Sequence, residues 1–205
     1  MAGVAMGTIG MIITIRSRVH GCLTQTTSPI YLPGDNYQVA QEIRLAIPTQ
    51  QHQANLLLVK WPNDLLVRSE GEEQWRKYGG ILFQSYSKGD EQRLVLGIGI
   101  NTKQDSLNFG QGAIEEIGIR HTASELFPIL NAVVASMFEK KHPAVQKQNS
   151  ESPTLESMLR TCFYREKKYT VASVSMQGLI LEDDHGTKVT VEDDANLTWI
   201  SLHPQ

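Results

Sequence analysis

Apolar positions along the chain follow two rhythms. From Met1 to Ile15 the chain is apolar and uncharged, and the alternation around Met11–Ile15 predicts a buried strand. The stretch is shorter than the roughly 20 residues that span a bilayer. Its arginines, Arg16 and Arg18, come after the apolar run rather than before it, unlike a secretory signal. Gly3, Gly7 and Gly10 leave a loosely ordered start as the alternative. Val39, Ile43 and Ala46/Ile47 then recur at helical spacing behind a capping Asp35, and Pro48 ends that helix. Three strands follow: Leu56–Val59, Ile81–Tyr86 and Leu94–Ile100. Thr122 and Glu125 have capping-box spacing, but a proline so far into a helix removes a hydrogen bond. The next helix is therefore predicted to begin at Pro128, with Leu130, Val133, Val134, Met137 and Phe138 as its apolar stripe.

The texture changes after Lys140. Gln146–Ser152 is polar and reads as a linker. Ser152-Pro153 signals a further helix, whose buried face would hold Leu155, Met158, Leu159 and Cys162. Short runs at Lys168–Ser175, Leu179–Leu181, Lys188–Val191 and Leu197–Leu202, with turns at Gln177-Gly178 and His185-Gly186, predict a small antiparallel barrel or sheet. The reading is a mixed α/β domain over 1–145, a linker and helix over 146–167, and a β-rich unit over 168–205. No solenoid-type repeat is present.

Composition narrows the classes without choosing among them. A chain of 205 residues that is 40% hydrophobic and 20% charged can bury a core. Nineteen Lys+Arg against 22 Asp+Glu give a net charge of -3, which argues against a broad nucleic-acid surface. Cys22 and Cys162 form neither a CxxC pair nor a disulfide framework and read as reduced thiols, so a cytoplasmic location is expected, with an organelle as the alternative. Cys162 reads as a core thiol rather than a nucleophile. Six histidines without HxH or HExxH spacing predict no metal site from local ligands. Glu182, Asp183, Asp184, Glu192, Asp193 and Asp194 bracket one hairpin, which reads as a solvated turn region.

Three segments carry possible chemistry. Lys60-Trp61-Pro62-Asn63-Asp64 follows a buried strand, and Pro62 cannot continue a central ladder, so its polar groups emerge at a strand end. Asn63 and Asp64 can read an adenine, a sugar or a ureido group, or can simply build a turn. In Arg76-Lys77-Tyr78-Gly79-Gly80-Ile81-Leu82 a basic pair feeds a diglycine, where Lys77 can meet a phosphate or carboxylate and the glycines admit a close backbone approach. A flexible hairpin is the alternative. Gly97-Ile98-Gly99-Ile100-Asn101 lacks the third glycine and following helix of a dinucleotide fingerprint. Its alternate glycines instead open one strand face to a flat neighbour, with Asn101 placed to pair with a base edge.

In that order, KWPND, KYGGIL and GIGIN resemble the catalytic domain of biotin protein ligases, the biotin–carboxylase ligases or holocarboxylase synthetases. The likeness covers roughly residues 20–205, and Gly21-Cys22-Leu23 is similar to eukaryotic members. It implies an α+β fold of class II synthetase type, with a mixed sheet and packed helices, plus a small SH3-like C-terminal β-barrel. It implies that ATP and biotin, with Mg²⁺, form biotinyl-5′-adenylate. The biotinyl group then passes to a lysine of a carboxylase's biotin carboxyl carrier domain. No nucleic-acid partner is expected, since no helix-turn-helix precedes the catalytic block, and no membrane partner, since the apolar stretch at Met1–Ile15 is too short to span a bilayer. Lys77 corresponds to the lysine holding the biotin carboxylate and α-phosphate, the catalytic role. Asn63 and Asp64 correspond to the adenylate-site residues, with Lys60 and Trp61 shaping the strand end. Gly79 and Gly80 correspond to backbone closing on biotin and Asn101 to the residue recognising adenine, with Ile81 and Gly99 as further substrate- or nucleotide-binding positions.

Two family segments have no counterpart: the GRGRxGRxW loop and an upstream Ser-Thr-Asn segment. Arg16-Ser17-Arg18 is the basic pair at the corresponding place. The resemblance thus implies a catalytic domain incomplete on its N-terminal side, and weak adenylation or none, because a bidentate arginine beside a reacting phosphate is not replaced by a distant lysine. The alternatives are a non-catalytic biotin- or adenylate-binding module and a lipoate-type acyl ligase or transferase.

Overall fold

The computed structural model describes residues 8–18, 33–88, 91–104, 107, 110–140 and 158–200. The features expected at Gly21-Cys22-Leu23, in the 146–152 linker and at Pro153–Leu155 lie outside these residues, as do the side chains of Arg16, Arg18, Met137 and Phe138. Strand β1 (Thr8–Arg18) is followed by helix α1 (Pro33–Ala46) and a single-turn helix α2 (Gln51–Ala54). Strands β2 (Leu57–Lys60), β3 (Asp64–Val67), β4 (Arg76–Lys88) and β5 (Glu91–Asn101) come next. A 3-10 turn at Ile114–Ile117 leads to helix α3 (Ala123–Lys140). The remainder is β6 (Thr161–Tyr164), β7 (Lys167–Ser175), β8 (Gly178–Glu182), β9 (Lys188–Val191) and β10 (Leu197–Trp199).

These strands build two five-stranded sheets, ordered β1-β5-β4-β3-β2 and β10-β6-β7-β8-β9. The fold is α+β, as expected. Every neighbouring pair in both sheets is antiparallel, so the expected mixed sheet is corrected. Tight hairpins such as β2–β3 and β7–β8 impose this, because parallel neighbours need a long crossover. Among the described residues parallel pairing is confined to isolated bridges, Val59–Met158 and Lys77–Gln111.

Helix α1 lays Tyr37, Val39, Ala40 and Ile43 into the core, and Ile47, just past its end, is buried with them at the spacing the sequence shows. It begins at Pro33, so Asp35 sits buried in the first turn instead of capping it. Arg44 fastens the helix to the sheet edge by donating to the carbonyls of Leu57 and Ala54, at 2.7 and 2.9 Å. Helix α3 starts five residues before the predicted Pro128. The Glu125 carboxylate accepts the Thr122 backbone N–H at 2.7 Å and its hydroxyl at 2.9 Å, and this cap outweighs the one hydrogen bond lost to proline. The earlier start adds Leu126 to the stripe formed with Leu130 and Val134.

The helix expected to run to Cys162 is corrected. Residues 161–164 form a strand, favoured by the aromatic and β-branched side chains there. Met158, Leu159 and Cys162 are buried as foreseen, but Met158 bridges Val59, and the Leu159 N–H donates to the Val59 carbonyl at 3.3 Å. These contacts join the second sheet to the first, and one hydrophobic cluster holds residues of both. Between β6 and β7 the chain turns through Arg165 and Glu166, both at positive φ (50° and 68°).

Candidate active site

Strands β2 and β3 form a hairpin whose turn is Trp61-Pro62-Asn63, with the Trp61–Pro62 peptide cis. The KWPND motif thus spans a turn and both flanking strand ends, where the sequence suggested the end of one strand. Strand β4 begins at Arg76, well before the predicted Ile81, so the diglycine lies within a strand and not in a flexible hairpin.

Register then arranges the motifs in rows across the sheet. Residues paired across an antiparallel ladder share a face, and successive residues alternate faces. Val59 pairs with Leu65, Leu65 with Gly79, and Gly79 with Ile100. That row is buried and faces α1 and the core. The next row is Lys60, Asp64, Gly80, Gly99 and Gly10, one residue from each of the five strands. Its charged end sits beside a run of three glycines, a floor without side chains. A Cβ added to Gly99 meets nothing within 4 Å. Asn101 lies two residues beyond Gly99 on β5, and so on the same face.

One irregularity brings Lys77 to this face. Gly79 pairs with Leu65 and Lys77 with Leu66, so Tyr78 has no partner on β3 and forms a bulge. Simple alternation from Gly80 would turn Lys77 into the core and Tyr78 outward. The bulge reverses this, leaving Tyr78 fully buried and Lys77 half-exposed. A Cβ at Gly80 would lie 3.3 Å from the Lys77 Nζ, so the ammonium rests over the glycine floor. Asp64 holds it there. One carboxylate oxygen of Asp64 pairs with Lys77 and the other with Lys60 at 3.0 Å.

The remaining residues brace this arrangement. The Asn63 amide donates to the Ile81 carbonyl at 2.6 Å, and the Ile81 N–H donates back to the Asn63 carbonyl at 3.1 Å. The Asn101 amide donates to the Gly112 carbonyl at 3.1 Å, while the Gly112 N–H donates to the Lys77 carbonyl at 2.9 Å. Residues 110–113 are therefore tied to both Lys77 and Asn101. Arg76 pairs with Glu116 at 2.5 Å and Glu72 at 2.8 Å, and Glu116 in turn accepts the Ala113 N–H at 2.8 Å.

The structure sorts the expected site residues into two groups. Lys60, Asn63, Asp64, Lys77, Gly80, Gly99 and Asn101 surround one open face. Trp61, Gly79 and the Ile81 side chain are buried on the opposite side, where they shape the sheet. Gly112 was missed by sequence reading: its added Cβ would meet Val67 Cγ1 at 2.6 Å, a close packing that no local motif signals.

Buried polar groups line the core side. Burial pushes the Tyr37 hydroxyl up to about 12, against a hydrogen bond from Gln41 and the Arg44 charge, and burial raises the Tyr78 hydroxyl as well. The Cys162 thiol is pushed up to about 11 by burial, as befits a core thiol rather than a nucleophile. Among the described residues no cluster of three His, Cys, Asp or Glu side chains could hold a metal ion, and no helix is long and apolar enough to cross a membrane.

Residues 15–101 match the model of the Biotin/lipoate A/B protein ligase family. The fold matches solved biotin protein ligases. The Aquifex aeolicus enzyme in complex with biotin and ATP aligns at a TM-score of 0.55 and 16% identity, over 92% of this chain and 77% of that one. A point mutant of the Aquifex aeolicus enzyme, in complex with biotin, gives 0.56 and 16%, over the same shares. Another structure of the Aquifex aeolicus ligase gives 0.54 and 14%, over 93% of this chain and 82% of that one. No curated protein matches the chain in sequence.

Proposed function

We propose that this chain, with its biotin/lipoate ligase domain, is a biotin–carboxylase ligase that activates biotin with ATP and passes it to a carrier-domain lysine. The observation that carries the reading is the Lys77 ammonium, held by Asp64 over a three-glycine floor. An extended acyl chain with a flat head group can lie against Gly80, Gly99 and Gly10, and its carboxylate then ends beside Lys77. Activation brings that carboxylate to the α-phosphorus of ATP. An oxygen–phosphorus bond forms, the bond to pyrophosphate breaks, and biotinyl-5′-adenylate results. The two anions repel as they approach, and Lys77 offsets the repulsion where charge accumulates. In the second step the carrier lysine's amine attacks the acyl carbon and AMP leaves.

Asn63 and Asn101 border the same face and supply amide groups for the adenylate. Magnesium would arrive with ATP. Asp64 is the carboxylate available to it, and both its oxygens already meet lysines, so phosphate oxygens would supply most of the ion's contacts. When bound, the ion would neutralise the departing pyrophosphate.

The test is pyrophosphate release from ATP-Mg²⁺ with biotin, with lipoate, or with neither. Release that depends on biotin supports the proposal. Release with lipoate alone assigns the chain to lipoate-type acyl transfer. No release with either, alongside measurable biotin binding, makes it a binding module.

A further inference from the structure

The site row does not end at Lys60. Lys60 Nζ lies 3.0 Å from Asp64 Oδ2 and 3.7 Å from Asp194 Oδ2. Asp194 belongs to the second sheet, in the turn between β9 and β10, where its carbonyl accepts the Leu197 N–H at 3.0 Å. Its neighbour Asp193 spends its own carboxylate locally, on the Ala195 N–H at 3.0 Å. The Asp194 side chain instead reaches the KWPND lysine. Four charges of alternating sign therefore form one chain, Asp194–Lys60–Asp64–Lys77.

We infer that Asp194 is a positioning residue for Lys77, acting through Lys60 and Asp64. Lys60 and Asp64 are both mostly buried, with side chains 17% and 15% exposed, so each depends on its ionic partners more than a surface group does. Lys60 shares its charge between two carboxylates. Without Asp194 that charge falls wholly on Asp64, whose hold on Lys77 weakens. The ammonium then samples positions away from Gly80. The turn of the second sheet thus sets how firmly the reactive lysine is held, and the two sheets cooperate at the site without Asp194 touching substrate.

This inference rests on the proposed function for its catalytic consequence but not for its structural one, and the experiment separates them. Competitive acetylation of the folded protein, read by peptide mass spectrometry, reports how tightly Lys77 is held whether or not the protein turns over. Asp194→Asn is expected to raise the Lys77 labelling rate about two- to fivefold, the range of a partly exposed ion pair. Asp194→Glu should return it towards wild type, and high salt should shrink the difference. Asp184→Asn, an equal charge change on the β8–β9 turn, should leave it unmoved. If biotin-dependent pyrophosphate release is detected, Asp194→Asn should lower kcat by a similar factor with the KM for biotin little changed. Unchanged Lys77 labelling in Asp194→Asn, or an equal rise in Asp184→Asn, overturns the inference. Absence of pyrophosphate release in wild type with altered labelling overturns only the functional reading.

Discussion

Adjacent glycines in the same motif have opposite duties. A Cβ at Gly79 would sit 2.5 Å from the Gly99 carbonyl oxygen, which is backbone and cannot step aside. Gly79→Ala should therefore cost about 1–3 kcal/mol in stability, read as a lowered Tm at roughly 2–4 °C per kcal/mol. A Cβ at Gly80 is crowded by the end of the Lys77 side chain, 3.2 Å from Cε, while the Asn63 carbonyl oxygen lies at an ordinary 3.7 Å. Gly80→Ala should keep its Tm and lose pyrophosphate release, because the ammonium is displaced. Gly99→Ala, with open space around it, should fold normally and raise the KM for biotin. If Gly80→Ala unfolds as readily as Gly79→Ala, the assignment of faces is wrong. The sequence shows a diglycine and alternate glycines as possible ligand floors. It does not reveal which glycine of the diglycine faces out, or to which side the shared face of Gly97 and Gly99 turns, because that depends on register with β3 and β5. Trp61 and Ile81 entered the candidate set for the same reason: motif membership does not specify a face.

Among the elements, the bulge at Tyr78 was the hardest to read. A one-residue irregularity has no compositional signal, yet it decides whether Lys77 points to solvent or core. The short strand β3 and the continuation of β4 back to Arg76 were also missed, since Pro62 and the diglycine look like breaks when their cross-strand partners are unknown. The helix stripes were legible because a 3.6-residue period is local. In the second sheet the β8–β9 turn supplies a pH test. Asp183 accepts a salt bridge from Lys167 at 2.5 Å and backbone N–H groups of Thr187 and His185 at 2.8 and 2.9 Å. Lys167 chiefly, and then these N–H groups, hold its pKa at about 2, below the ordinary 3.8. A depressed carboxylate stabilises the fold above its unfolded pKa and loses that contribution as pH falls through the folded value. The Tm of wild type should thus fall more between pH 4 and about 2 than that of Asp183→Asn, whose turn has no charge to lose. Equal slopes would contradict the role given to this carboxylate.

At the scale of the whole molecule, the two sheets share one hydrophobic cluster and are stitched through Val59, Met158 and Leu159. Trp61 and Trp199 lie one on each side of that join and are both buried. Thermal unfolding followed by tryptophan fluorescence and by far-ultraviolet circular dichroism should give a single coincident transition. Two separated transitions would show that the second sheet melts independently. The α+β class and the β-rich C-terminal part were legible from strand and helix periods. The joining of the sheets was not, because it depends on contacts roughly a hundred residues apart in sequence.

On the proposed function, Lys77, seated by Asp64 over the glycine row, activates biotin for transfer to a protein lysine. The most direct test is the mass of an isolated biotin carboxyl carrier domain after incubation with ATP-Mg²⁺, biotin and either wild type or Lys77→Ala. Wild type is expected to add a biotinyl mass to one carrier lysine, and the folded variant at least about a hundredfold less, as follows when an electrostatic group at the reacting atoms is removed. Carrier biotinylation by Lys77→Ala at the wild-type rate would contradict it.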